Sequence, residues 1–182
     1  AFLTRALRLS AGIMVSAYLG AKTFGAADVA AERRRVADLL HRFHTRMPAE
    51  ISGAAFLFWP FHVVRDYART LKAGGSRMTA HLPGYLALAD ELEAAQAPLP
   101  IVFGHNDLLP ANILDDGERL WLIDFEYAGF STAMFDLAGA TSNAGFSAEE
   151  ADDFLEAYFG GAPDPAIRRS HAAMQCASLL RE

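Results

Sequence analysis

A chain of 182 residues in which 52% are apolar and thirteen are Phe can bury one sizeable core, which excludes intrinsic disorder. The formal net charge of −6 speaks against a nucleic-acid partner, because such binders present a basic face. A single cysteine, Cys176, precludes an internal disulfide and fits a reducing compartment.

Taken in chain order, the first apolar run is Ala11 to Leu19, and Met14 to Leu19 within it is expected as a strand and hinge. With Arg5 and Arg8 ahead of it, this run also imitates a secretory signal, the lesser alternative. No segment reaches the length of a membrane span. Asp28 to His44 carries Val29, Val36, Leu39, Leu40 and Phe43 near helical spacing, and Pro48 is expected to end this helix. The run Arg33-Arg34-Arg35 lies inside it as a solvated face rather than a phosphate patch. An aromatic-rich connection, Phe56 to Phe61, is broken by Pro60. A second helix spans Phe61 to Lys72 before Gly74-Gly75, and a third spans Leu82 to Ala97 before Pro98.

The segment Val102 to Gly129 is the most informative. It carries His105, Asp107 and Asn112 as His-x-Asp-x(4)-Asn, then Asp124-Phe125 after the apolar run Leu120 to Ile123. The turn Asp115-Asp116-Gly117-Glu118 between two apolar runs is a hairpin signal. A carboxylate at Asp107 can take the proton of an attacking hydroxyl. The neutral amide oxygen of Asn112 and the carboxylate of Asp124 suit a hard cation. Turn caps and a strand end would explain each residue singly, but not their order with a hairpin between them.

Beyond this segment, Thr132 to Asn143 is expected as a helix closed by Gly145. Ser147 and Glu150 form a capping box for a helix to Phe159, and Asp164-Pro165 opens the last helix. Cys176, among Ala172, Ala173, Met174 and Ala177, reads as an inert buried thiol. His41, His44, His62, His81 and His171 lack metal-site spacing and read as structural; no acidic partner lies beside His41 and His44 in the sequence. Trp59 and Trp121 read as packing residues.

His105-Asn106-Asp107, Ile123-Asp124-Phe125-Glu126-Tyr127 and Phe135-Asp136-Leu137-Ala138 together resemble the aminoglycoside phosphotransferase and choline kinase superfamily. Within it, the first two match the pattern of choline and ethanolamine kinases. The resemblance implies an α+β, mainly α fold: a protein-kinase-like carboxy-terminal lobe with a small catalytic β-hairpin. It implies transfer of the ATP γ-phosphate to a small-molecule alcohol in the cytoplasm, with Asp107 as catalytic base and Asn112 and Asp124 as magnesium ligands. Leu114 and Ile123 would floor the adenine site and Tyr127 would line the acceptor pocket, where an aromatic face attracts a cation. Asp136 would hold the catalytic loop through its backbone, and His105 would brace that loop.

The chain departs from the pattern at Leu109, where protein kinases carry Lys and choline kinases commonly Gln. No G-x-G-x-x-G occurs among Gly12, Gly20 and Gly25, and Lys22 lies past the apolar run rather than in a strand leading into a helix. Residues 1–25 are therefore expected as a hinge and a remnant of an amino-terminal lobe, with Met14 to Leu19 meeting adenine. Residues 26–182 would be the helical catalytic lobe, incomplete at its carboxy terminus because the last helical pattern is not closed. Two further readings stay open: an aminoglycoside or other small-molecule phosphotransferase, and a non-catalytic kinase-like binding module.

Overall fold

The computed structural model describes residues 6–10 and 13–181. Arg5, Ala11 and Gly12 of the signal-like segment, and Glu182, lie outside the described residues. Strands β1 (Ala6–Ser10) and β2 (Ile13–Ser16) pair antiparallel. The expected strand at Met14 to Leu19 thus starts one residue earlier and stops at Ser16. Strand β3 (Lys22–Thr23) pairs antiparallel with the catalytic hairpin and leads into α1 (Ala26–Ala31). This corrects the reading of Lys22, which does lie in a strand before a helix; two residues are too few to leave an alternating pattern.

Helix α2 (Arg33–Glu50) follows α1 after a break at Glu32 and continues past Pro48. Proline removes one backbone donor, and with only Ala49 and Glu50 beyond it that loss falls on the last turn. Pro60 opens α3 (Pro60–Ala73) rather than breaking a segment, since a first-turn N–H has no intrahelical acceptor. Helix α4 (Leu82–Ala94) ends three residues earlier than expected. The ribbon of β4 (Ile101–Gly104) and β7 (Gly129–Thr132) has no counterpart among the sequence expectations, because its strands are short and paired across the whole catalytic segment.

The catalytic hairpin forms as expected, with β5 (Ile113–Asp115) against β6 (Leu120–Leu122). In its turn, Asp116 Oδ1 accepts from the amides of Glu118 and Arg119 at 2.9 and 2.8 Å, while Gly117 takes φ 89°. Helices α5 (Ala133–Asn143), α6 (Ala148–Phe159) and α7 (Pro165–Arg181) follow. The Ser147–Glu150 capping box is present, and Asp164 accepts from Ala166 and Ile167.

Helix α5 is the axis. Ala133 to Thr141 are all buried, as in a helix apolar all round and enclosed by protein. Leu137 and Ala140 face a cluster with Val36, Leu40 and Phe43 of α2 and Phe154 and Leu155 of α6. Met134, Phe135 and Ala138 face a second cluster with Phe61 and Val64 of α3 and Met174 and Ala177 of α7. Asp136 sits within this buried stretch. The basic run is not a free solvated face: Arg33 and Arg34 pair with Asp153 of α6, and Arg35 pairs with Glu32 and Asp115. Cys176 is exposed, which corrects the expectation of a buried thiol; it falls between the buried Met174 and Ala177 on the outer side of α7. Among the described residues no helix is long and apolar enough to cross a membrane.

The segment before α3 is tied to β7: Phe130 donates to the Phe56 carbonyl and Phe58 donates back to the Phe130 carbonyl, each at 2.8 Å. A Cβ on Gly129 would lie 2.6 Å from the Phe56 oxygen, so this crossing requires glycine. Gly129→Ala should lower stability by about 1–3 kcal/mol, read as an earlier urea midpoint with unchanged slope. An unchanged midpoint would show that the two strands can separate at no cost.

Candidate active site

Strand β4 delivers the chain into the catalytic loop at Gly104, where a Cβ would stand 2.7 Å from both Asn106 Oδ1 and Ser131 Oγ. The next two amides are captured by α5: His105 N donates to Asp136 Oδ2 and Asn106 N to Asp136 Oδ1, each at 2.7 Å. Asn106 adopts φ 63°, a conformation that Asn tolerates better than most side chains. Its amide nitrogen donates to the Tyr127 carbonyl at 3.0 Å and its oxygen accepts from Ser131 Oγ at 3.0 Å. The loop is thus fixed by its backbone from below and by Asn106 from the side, with half-buried Asp107 next in line.

His105 is fully buried, with Nε2 2.8 Å from the carbonyl of Ile123 and its ring 4.8 Å from that of Phe125. A carbonyl only accepts, so Nε2 carries the proton, and Nδ1 is left buried without a hydrogen-bond partner. This bond joins the catalytic loop to the residue before Asp124. Asp124 also takes φ 63°. Among the described residues, Asn106 and Asp124 are the non-glycine residues with positive φ, and both belong to this site, where strained backbone tends to collect.

Asn112 is buried, and its Nδ2 donates to the Asp107 carbonyl at 2.9 Å. Only nitrogen can donate there, so the amide is oriented with Oδ1 turned away from that carbonyl. The carboxylates of half-buried Asp107 and exposed Asp124 accept no hydrogen bond from the described residues. The Asp124 carboxylate and the Asn112 amide oxygen fit magnesium held jointly with phosphate oxygens, which takes few protein ligands, and leave the Asp107 carboxylate free for a proton. Consistently, the described residues contain no group of three or more His, Cys, Asp and Glu able to hold a metal alone.

Leu114 pairs in register with Trp121, on the side of the hairpin opposite the buried Ile113 and Leu122. Alternation places Ile123 on the same side as Trp121. These half-buried side chains make an apolar face beside Asn112 and Asp124, a suitable floor for a purine. Trp121 is held in place by its Nε1 bond to Asp116 and by the Arg119 guanidinium over its ring. Tyr127, 47% exposed, lies three residues after Asp124. Leu109 is 42% exposed, so an apolar side chain faces solvent beside the loop.

Behind the loop, Asp136 Oδ2 lies 2.9 Å from His44 Nε2, and His44 Nδ1 lies 2.8 Å from the Tyr158 hydroxyl. Burial pushes the Asp136 carboxyl up, but the His44 hydrogen bond, the nearby His44 and His105 rings and the loop amides outweigh it. Its pKa falls below the ordinary carboxylate value. Burial, and then the Asp136 charge, push the Tyr158 hydroxyl up, so it stays protonated. Sequence reasoning missed Asn106, Ser131, Tyr158 and the acidic partner of His44. Asn106 could have been found, as an Asn beside a candidate base; nothing in the sequence joins His44 to a residue 92 positions away.

Comparison with known proteins agrees with this geometry. Over 54 residues the chain is 46% identical to protein LicA of Haemophilus influenzae, covering 30% of this chain and 20% of that protein. The crystal structure of a choline/ethanolamine kinase family protein from Mesorhizobium loti superposes with TM-score 0.77 at 28% identity. That match covers 99% of this chain and 63% of the other, so the chain spans less than two thirds of that relative. An aminoglycoside phosphotransferase from Streptomyces rimosus, in complex with ADP and streptomycin, shares the fold with TM-score 0.59 at 20% identity, over 98% of this chain and 75% of its own. Residues 5–171 match the phosphotransferase enzyme family, and the chain belongs to it.

Proposed function

We propose that this chain carries the catalytic lobe of a cytoplasmic ATP-dependent kinase that phosphorylates the hydroxyl of a small amino alcohol, choline or ethanolamine. The observation that carries this reading is the pair of uncommitted carboxylates, Asp107 and Asp124, set around Asn112 on a loop whose backbone is clamped by Asp136. The relatives add the direction: their names contain choline and ethanolamine kinase, and LicA has been crystallised with AMP.

In this reading the acceptor hydroxyl lies against Asp107. Its oxygen bonds to the γ-phosphorus as the bond from that phosphorus to the bridging oxygen of ADP breaks. The hydroxyl proton passes to Asp107. Asn112 Oδ1 and the Asp124 carboxylate would hold magnesium, which supplies neutralisation of charge on the phosphate oxygens. Leu114 and Ile123 support the adenine. His105 keeps the Asp124 strand in register with the loop through the Ile123 carbonyl. The transition state is loose, so placement of these groups contributes more than covalent chemistry. The half-exposed ring of Tyr127 suits a cationic acceptor, since a cation over an aromatic face gains about 0.5–2 kcal/mol.

A second reading, phosphorylation of an aminoglycoside or another small molecule, is favoured by the fold shared with the streptomycin-bound enzyme.

In the intact enzyme, Asp107→Asn should lower kcat by about a hundredfold or more and leave ATP binding nearly unchanged. Near-normal turnover would remove the base from the mechanism. Asp124→Ala should abolish the dependence of nucleotide binding on magnesium, measured by calorimetry with and without the ion. In a panel of amino alcohols, sugars and aminoglycosides, choline or ethanolamine should give the highest kcat/KM. Tyr127→Ala should raise KM for that acceptor more than it changes kcat. Preference for an aminoglycoside with Tyr127 silent would establish the second reading.

A further inference from the structure

Four segments meet behind the catalytic loop in one hydrogen-bonded line: Tyr158 on α6, His44 on α2, Asp136 on α5, and the amides of His105 and Asn106. His44 and Asp136 are within 1% of full burial and Tyr158 is 7% exposed, so water does not substitute for a missing partner.

The protons in this line can be assigned from its acceptors. Asp136 is ionised and already accepts from two amides, so the atom of His44 that faces it must be a donor. That places a proton on Nε2. In the neutral ring Nδ1 then holds a lone pair, and among the described residues the group at hydrogen-bond distance is the Tyr158 hydroxyl at 2.8 Å, which donates to it. The other tautomer would set two acceptors, Nε2 and Asp136 Oδ2, face to face at 2.9 Å.

We propose that Tyr158 is a positioning residue for the phosphoryl transfer: its hydroxyl donates to His44 Nδ1, orients the ring whose Nε2–H donates to Asp136, and thereby holds the backbone that aims Asp107. The proposal rests on the kinase reading above for its catalytic part only. Tyr158 touches no substrate and acts through two intermediaries. Its ring also packs edge-on against His41 and Phe159, at 5.6 and 4.9 Å between centroids, so a purely structural role predicts the same response to loss of the hydroxyl as to loss of neighbouring ring packing. The line predicts different responses, because the hydroxyl alone hydrogen-bonds to His44, while Tyr158→Phe keeps the edge-on contact of the two rings at 5.7 Å between centroids.

The test uses the intact protein with Tyr158→Phe, and with Phe159→Leu as the packing control. Tyr158→Phe should lower kcat about tenfold per folded molecule, as expected of a small misplacement of the base, with KM for ATP and acceptor within about twofold. It should also speed hydrogen exchange at the amides of His105 and Asn106 relative to amides elsewhere in α5. Phe159→Leu should do neither. In a His44→Gln background, Tyr158→Phe should have no further effect on kcat, since the link it acts through is gone. The wild-type protein supplies a readout that needs no variant to fold: imidazole nitrogen chemical shifts should show His44 protonated at Nε2 with Nδ1 accepting. Protonation at Nδ1 alone, or exchange at His105 and Asn106 that follows α5 in Tyr158→Phe, overturns the proposal. Absence of turnover with every acceptor would instead overturn the kinase reading, and the exchange and shift measurements would still decide the role of Tyr158.

Discussion

A full negative charge buried in the middle of an apolar helix organises this lobe. Left alone, the Asp136 carboxylate in such a place would be costly enough to protonate or to unfold its surroundings. It is retained because three donors converge on it: the amides of His105 and Asn106 and the ring of His44. Each donor comes from a segment that must then be where the carboxylate is. The catalytic loop cannot shift without leaving two buried amides and a charge unsatisfied, and the loss of such a group costs more than an ordinary hydrogen bond contributes. The precision needed at Asp107 is thus supplied by a charge one layer below it.

The apolar packing makes that arrangement possible. Helix α5 faces one cluster through Leu137 and Ala140 and the other through Met134, Phe135 and Ala138, so it is enclosed on all sides. Helices α2 and α6 pack through Leu40, Phe43, Phe154 and Leu155, which brings His44 and Tyr158 within hydrogen-bond reach of each other. The ion pairs from Arg33 and Arg34 to Asp153 run along the same contact, but they are partly exposed and add little beside the burial. Above this layer the site consists of short pieces held by single bonds: His105 to Ile123, Asn106 to Tyr127 and Asn112 to Asp107. Those bonds use side-chain donors of His105, Asn106 and Asn112 and none reaches the carboxylates of Asp107 and Asp124.

The sequence by itself determined most of the helices and the candidate site residues. Asp107, Asn112 and Asp124 are legible because they fall in a fixed order along one continuous segment. The capping box at Ser147–Glu150 and the Asp164-Pro165 helix start are legible because capping is local physics. The hairpin is legible from Asp-Gly between apolar runs. Only the tertiary structure decided the rest. The β4–β7 ribbon pairs Ile101 with Thr132, and two four-residue strands so far apart leave no periodic signal. Pro48 inside α2 and Pro60 at the start of α3 show that a proline's effect depends on which backbone donors the surrounding helix requires. The partners of His44 lie 92 and 114 residues away, on helices whose facing sides are set by burial. A hydrogen bond between side chains that distant follows from the packing of whole helices, which no local pattern of residues records.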